Sequence, residues 1–233
     1  MSHIQEERAK YIRSLFGRIA PRYDLMNQLI SFGQDRRWRR EAVQALEPMA
    51  GDLVLDLGAG TGDLAREVLR HEPDATVVAG DFTPAMIHTG RRHSGMAEPT
   101  WVLADALHIP FPDGTFDGII SGFLLRNVTD LDAALREQIR VLRPGGRLVS
   151  LETAPPPDGL FKPLLLFHFR LVMPLIGTLI ARYPQAYRYL PSSTQEFHTP
   201  ERLAERFERA GLKNVHFTRK MLGTIAIHWG TKP

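Results

Sequence analysis

A chain of 233 residues, 43% hydrophobic and 24% charged, is long enough to bury a sizeable core, and we read it as one domain. With no cysteine there is no disulfide framework, no thiolate nucleophile and no zinc–thiolate site. The nine histidines fall outside metal-ligand spacings such as H-E-x-x-H, so no metal is expected. The net charge of +3 comes without long arginine-rich appendages, which argues against nucleic acid as a partner.

Met1 to Lys10 is polar and lacks the charged-then-apolar pattern of a signal peptide, which suits a cytoplasmic protein. Arg36-Arg37 and Arg39-Arg40 crowd one short segment and Arg91-Arg92 another. Such runs usually mark a solvated face, yet beside apolar surface they also suit anionic lipid headgroups.

From Val54 to Gly62 an apolar strand runs into three alternate glycines and then a helical pattern, Asp63 to Leu69. Gly58, Gly60 and Gly62 permit a tight turn and close approach of a ligand to bare backbone, and the helix start offers free N–H groups. Thr61 lies within this loop. Asp56, just before it, either meets the amino-acid end of a cofactor or braces the loop. The next strand, Thr76 to Gly80, ends at Asp81, where a carboxylate can accept from both ribose hydroxyls. Phe82 and Met86, at the following helix start, are counted with it. A dinucleotide fingerprint would need glycine where this chain has Asp63, so a single adenosine-type cofactor is expected.

A third strand, Thr100 to Ala104, ends in Asp105-Ala106, placed to meet the adenine amino group and to offer a backbone N–H. Thr115 to Ser121 is a fourth strand, with Ser121 at the crevice. Asp130 to Arg140 is a helix, Pro144-Gly145-Gly146 a turn, and Arg147 to Leu151 a fifth strand. Leu160 to Ile180 is the most apolar stretch, too interrupted by charges and prolines to span a bilayer. It covers an apolar substrate or rests on a membrane, or else it is extra core or a homodimer contact. Thr199-Pro200 caps a helix ending at Gly211, and Val215 to Thr218 and Thr224 to Trp229 form a closing hairpin. The alternation implies an α/β fold with a doubly wound, mostly parallel seven-stranded sheet and an antiparallel edge hairpin. Within one domain this gives a helical lid over 1–50, a cofactor-binding core over 51–155, an apolar insertion over 156–198, and a closing helix and hairpin over 199–233.

The G-x-G-x-G pattern resembles motif I of class I S-adenosylmethionine-dependent methyltransferases. Tyr23-Asp24-Leu25-Met26-Asn27, Ser31-Phe32-Gly33 with Trp38, Leu125-Arg126-Asn127-Val128-Thr129-Asp130, Arg140 to Gly146 and Tyr189-Leu190-Pro191 together resemble the menaquinone and ubiquinone biosynthesis C-methyltransferase family. That resemblance implies a Rossmann-like fold and methyl transfer from S-adenosylmethionine to a ring carbon of a polyprenylated quinol, at a peripheral membrane surface. Another phenolic or prenylated acceptor, or a non-catalytic S-adenosylmethionine-binding protein, are the alternatives. The chain departs from the family pattern at Asp35, where histidine is usual, at Leu124, where glycine is usual, and at Thr153-Ala154 after Glu152. Carbon methylation requires the neighbouring quinol hydroxyl to lose its proton. Arg126 and Asn127 are therefore expected to stabilise the quinolate oxygen or orient a water, with Asn27 as a hydrogen-bond partner in a segment folded over the site.

Overall fold

The computed structural model describes residues 3–93, 98–172 and 193–233. Seven strands form one sheet in the order β3-β2-β1-β4-β5-β7-β6: β1 Leu53–Leu57, β2 Thr76–Asp81, β3 Thr100–Leu103, β4 Phe116–Gly122, β5 Leu142–Thr153, β6 Lys213–Lys220 and β7 Ile225–Thr231. Strands β1 to β5 run parallel. β7 pairs antiparallel with both β5 and β6, so the expected hairpin closes one edge.

Consecutive apolar residues in the central strands face opposite sides of the sheet, as the two-residue period of a strand requires. Leu55, Ile119 and Leu148 point into one core layer, and Val54, Ile120 and Val149 into the other. The first layer is completed by Ala134 and Leu135 of α6 (Leu131–Val141) and by Leu203 and Phe207 of α8 (Pro200–Arg209). The second is completed by α3 (Asp35–Leu46) and α4 (Asp63–His71). α6 starts where the Asp130 carboxylate accepts from the Ala133 N–H at 2.9 Å, and α8 where the Thr199 hydroxyl accepts from Arg202 with Pro200 at the first helical position.

Two boundaries differ from the sequence reading. The Pro144-Gly145-Gly146 turn lies inside β5, not before it. Phe116 pairs with Leu142 and Gly118 with Arg147, so the residues between Leu142 and Arg147 bulge out of the strand. Gly145, at φ +79°, and Gly146 keep this bulge paired to Lys232 through N–H···O bonds of 2.8 and 2.9 Å. Second, only part of the first 50 residues is a lid. Trp38, Ala42 and Val43 of α3 are core, leaving α1 (His3–Ile19) and α2 (Tyr23–Ile30) over the strand ends. The insertion after β5 begins with α7 (Lys162–Phe167) and a π-helical stretch, His168–Val172. Tyr189-Leu190-Pro191 lies outside the described residues.

Candidate active site

β1 delivers the chain to the glycine loop beyond its carboxyl end, and the loop is shaped by what a side chain there would strike. Gly58 has φ +70°, and a Cβ on it would lie 2.8 Å from Leu124 Cδ1. Gly60, at φ +56°, faces the Tyr23 ring. Gly62, at φ +88°, begins α4, but a Cβ there would meet Trp101 at 2.7 Å. Gly62 therefore serves helix packing and does not line the crevice.

The Asp81 carboxylate accepts from the Gly60 N–H at 2.8 Å and from the Thr83 N–H at 2.7 Å, tying the first strand loop to the second. Burial raises its pKa, and those two donors oppose the rise. Asp56 is fully buried. One oxygen accepts from the Ala65 N–H at 2.9 Å, so the loop-bracing alternative describes that oxygen, while the other finds no partner among the described residues. Burial pushes its pKa up to about 7. The Thr61 hydroxyl is taken by Asp24 of α2.

Three cavities meet above these strand ends. The largest, about 950 Å³, is lined by Gly58, Gly60, Asp81, Phe82, Met86, Asp105, Ala106 and Asn127, and is roofed by Ala9, Ile12 and Phe16 of α1. Arg13 of α1 lies over the Phe82 ring at 5.2 Å, closing that roof. The cradle fits a nucleoside: side-chain-free backbone at Gly58 and Gly60, a buried carboxylate at the ribose position, and an apolar wall. A smaller recess beside it holds Asp56, Thr61, Asp63 and Arg39, a polar end suited to an amino acid's charged groups. Arg39 is buried between Asp35 and Asp63, whose carboxylates hold its guanidinium firmly protonated.

The third cavity, about 670 Å³, takes Asn27, Ile30, Ser31 and Trp38 from the amino-terminal helices. Arg126, Thr153, His168, Thr194, Met221 and Ile225 come from elsewhere in the chain. Arg126 sits in the short 3-10 turn Leu125–Asn127 and donates through Nη1 to Thr153 Oγ1 at 2.8 Å and Thr194 Oγ1 at 3.2 Å. Its Nε is buried without an acceptor among the described residues. Tyr23 and Phe123 are common to all three cavities. Phe123 holds φ +57°, a backbone region that costs a residue with a Cβ about 1–2 kcal/mol. Burial raises the pKa of the Tyr23 phenol, which is paired with the Asn27 side chain.

Two further sequence expectations need correcting. Ser121 is turned away from the crevice into the sheet, where its hydroxyl bonds Ser150 on β5, and Gly122 and Phe123 line the cavity in its place. Asn127 does not stand beside Arg126 in one cavity: it faces the nucleoside side and donates Nδ2 to the Phe123 carbonyl at 2.7 Å. Asp105 lines the nucleoside cavity, its Oδ1 accepting from the Leu107 N–H at 2.9 Å. Sequence reasoning missed Glu152, whose signal was an acid following Leu148-Val149-Ser150-Leu151. It is buried under the Leu125–Asn127 turn, accepting from the Leu125 N–H at 2.6 Å, and burial lifts its pKa to about 7 against the pull of Arg126. Trp101 was missed as well; it wedges between the glycine loop and α5 (Pro84–Gly90).

The model of the ubiE/COQ5 methyltransferase family matches residues 1–232. The chain belongs to that family. It is 46% identical over 222 residues to a ubiquinone/menaquinone biosynthesis C-methyltransferase of Desulfotalea psychrophila, covering 95% of this chain and 90% of that one. It is also 46% identical over 221 residues to a demethylmenaquinone methyltransferase of Thermus thermophilus, covering 94% and 100%. A Thermotoga maritima SAM-dependent methyltransferase superposes with TM-score 0.69 at 17% identity over 95% of this chain and 100% of its own, which supports the fold alone.

As a methyltransferase of this family, the chain accommodates its departures locally. Asp35 accepts from the Ser31 hydroxyl at 2.9 Å and pairs with Arg39. Leu124 packs onto Gly58. Thr153 supplies the hydroxyl that holds Arg126.

Proposed function

We propose that the protein transfers a methyl group from S-adenosylmethionine to a ring carbon of a polyprenylated quinol, either demethylmenaquinol or a methoxy-polyprenyl-benzoquinol. The observation that carries this reading is the meeting of a nucleoside-shaped cavity and a mostly apolar second cavity at Tyr23 and Phe123. When bound, the cofactor supplies a sulfonium methyl, an electrophile that needs an electron-rich carbon in line with it.

The residues of the chain supply the rest. Asp81, Gly58 and Gly60 bind the nucleoside, and the Asp56–Asp63–Arg39 recess takes the amino-acid end. Ile30, Trp38, Met221 and Ile225 give the quinol ring an apolar seat and exclude water. A guanidinium offers donors and no acceptor, so Arg126 is not the base. Its free Nε–H instead steadies the ring oxygen as negative charge builds there. The phenol of Tyr23 and the amide of Asn27 meet that oxygen from the amino-terminal side. The polyprenyl tail is stored in a bilayer, so the enzyme works at a membrane surface; no helix among the described residues is long and apolar enough to cross one.

The test uses the purified chain, S-adenosylmethionine carrying a deuterated methyl, and short-tailed quinols of both ring types, with product mass as readout. Label on a ring carbon supports the reading. Tight cofactor binding with single-turnover transfer to neither quinol overturns it, and label on a phenol oxygen of an untailed acceptor would move the substrate class.

A further inference from the structure

Two short helices beside the acceptor cavity present large apolar side chains to solvent. On α2, Leu25 and Leu29 lie one turn apart and exposed, and Phe32 follows at 67% exposure. On α7, Leu164 and Phe167 lie three residues apart on one face, and Leu160, in the turn before the helix, is 90% exposed. The two faces adjoin, because the Phe32 ring lies 5.5 Å from the His168 ring. They also border the cavity: Ile30, Ser31 and His168, which line it, are chain neighbours of Leu29, Phe32 and Phe167.

Phe32 is doubly unfavourable where it stands. Its φ of +53° is a conformation that glycine adopts freely and phenylalanine does not, and its ring is mostly in water. Among the described residues it finds the His168 ring and still stays mostly exposed. The surrounding charge says what covers it. Between positions 6 and 37 the exposed charged residues are seven Lys or Arg, with Arg22 and Arg36 flanking the α2 face, against Glu6 and Glu7.

We propose that the α2 and α7 faces, with Phe32 at their junction, dock on an anionic lipid bilayer and bring the mouth of the acceptor cavity to the lipid surface. The quinol reading supplies the reason for such docking. The docking itself stands on exposed apolar area bordered by positive charge. It also redraws which part of the apolar insertion meets lipid. Within the Leu160–Ile180 stretch Leu165 is buried, while Phe161 and Leu171 are exposed; the Phe169 side chain lies outside the described residues.

The test is co-sedimentation with vesicles of phosphatidylcholine alone and of phosphatidylcholine mixed with phosphatidylglycerol, at low and high salt. The full chain is expected to pellet with the anionic vesicles and to be partly released by salt. Phe32→Gly relieves the left-handed strain, so it should fold with a Tm at or above that of the parent. It should bind the anionic vesicles about tenfold or more weakly, since a large apolar side chain is lost from the lipid contact. Leu164→Trp gives a second reading: its emission should shift to the blue and be quenched by brominated lipid. A parent chain that stays in the supernatant overturns the proposal, as does Phe32→Gly that pellets like the parent. A parent dimer that Leu164→Ser splits would assign the face to a second copy and also overturn it. Methylation of a soluble short-tailed quinol is measured on the same samples. Vesicle binding without any methylation would leave the docking face standing and sink the substrate reading, and methylation without vesicle binding would do the reverse.

Discussion

Glu152→Gln tests whether the carboxyl buried under the Leu125–Asn127 turn is kept protonated by its burial. The Glu152 pKa is raised to about 7 from an ordinary 4.5, first by burial, with Arg126 and the Leu125 N–H opposing. A group whose folded pKa lies above its unfolded pKa binds a proton in the folded state that the unfolded chain has lost. Between pH 4.5 and 7 this residue therefore lowers stability as pH rises, at about 1.4 kcal/mol per pH unit, or roughly 3 kcal/mol over the whole window. Glutamine copies the protonated form: it still accepts from Leu125, and it never ionises. Urea titrations from pH 4.5 to 8.5 should show the parent losing stability through that range, while the variant loses about one proton's slope less and is more stable at pH 8. Activity should move the other way. The carboxylate anchors the turn that carries Arg126, so the parent's kcat should rise through pH 7 with an inflection that the variant lacks. Equal stability–pH slopes in the two proteins would refute the reasoning, because Glu152 would then be solvated well enough to ionise without cost.

Asp81→Ala should weaken S-adenosylmethionine binding by about 1–3 kcal/mol, since it removes the ribose acceptor together with the brace on the Gly60 N–H; calorimetry decides it. Arg126→Ala should cut turnover by about a hundredfold while leaving cofactor affinity intact, read by kcat against Kd on a short-tailed quinol. Gly90→Ala should weaken cofactor binding from outside the crevice. Its Cβ would stand 2.3 Å from Trp101 Cη2 and 2.8 Å from the Thr61 carbonyl, so the glycine loop must shift, and unchanged affinity would show that Trp101 yields instead. Arg39→Met leaves the buried Asp35 carboxylate, and the half-exposed Asp63 beside it, without their cation and should destabilise the fold by about 3–5 kcal/mol in denaturant melts.

The cofactor half was readable because its demands are local. A strand must end, a loop must take positive φ against close neighbours, and a carboxylate must sit one strand further on. Each demand leaves a residue type in consecutive positions, as Gly58, Gly60 and Asp81 show. The sheet was readable for the same reason, through short apolar runs in β1, β4 and β5 bounded by turn residues. The Pro-Gly-Gly segment was misplaced because a turn and a bulge ask for the same residues. Only the pairing of Leu142 with Phe116 separates the two. Ser121 was assigned to the crevice from its place at a strand end, but alternation turned it into the sheet.

The acceptor half asks for something that consecutive sequence does not encode. Asn27, Arg126, Thr153, Thr194 and Met221 share a cavity only because α2, the turn after β4, the end of β5, the segment before α8 and the turn between β6 and β7 converge there. Each of them alone is an ordinary residue with an ordinary surface reading. The two positions that pay most for the arrangement, Phe32 and Phe123, are hidden by the same logic that exposes the glycines: a positive φ on phenylalanine carries no mark in the sequence. A glycine at either place would relieve the backbone, so what retains the ring must be something the ring touches. For Phe123 that is the junction where the two cavities meet, with the Arg126 guanidinium 5.4 Å from its centre. Among the described residues Phe32 has the His168 ring beside it and still stays 67% exposed, which is why its partner is sought outside the protein.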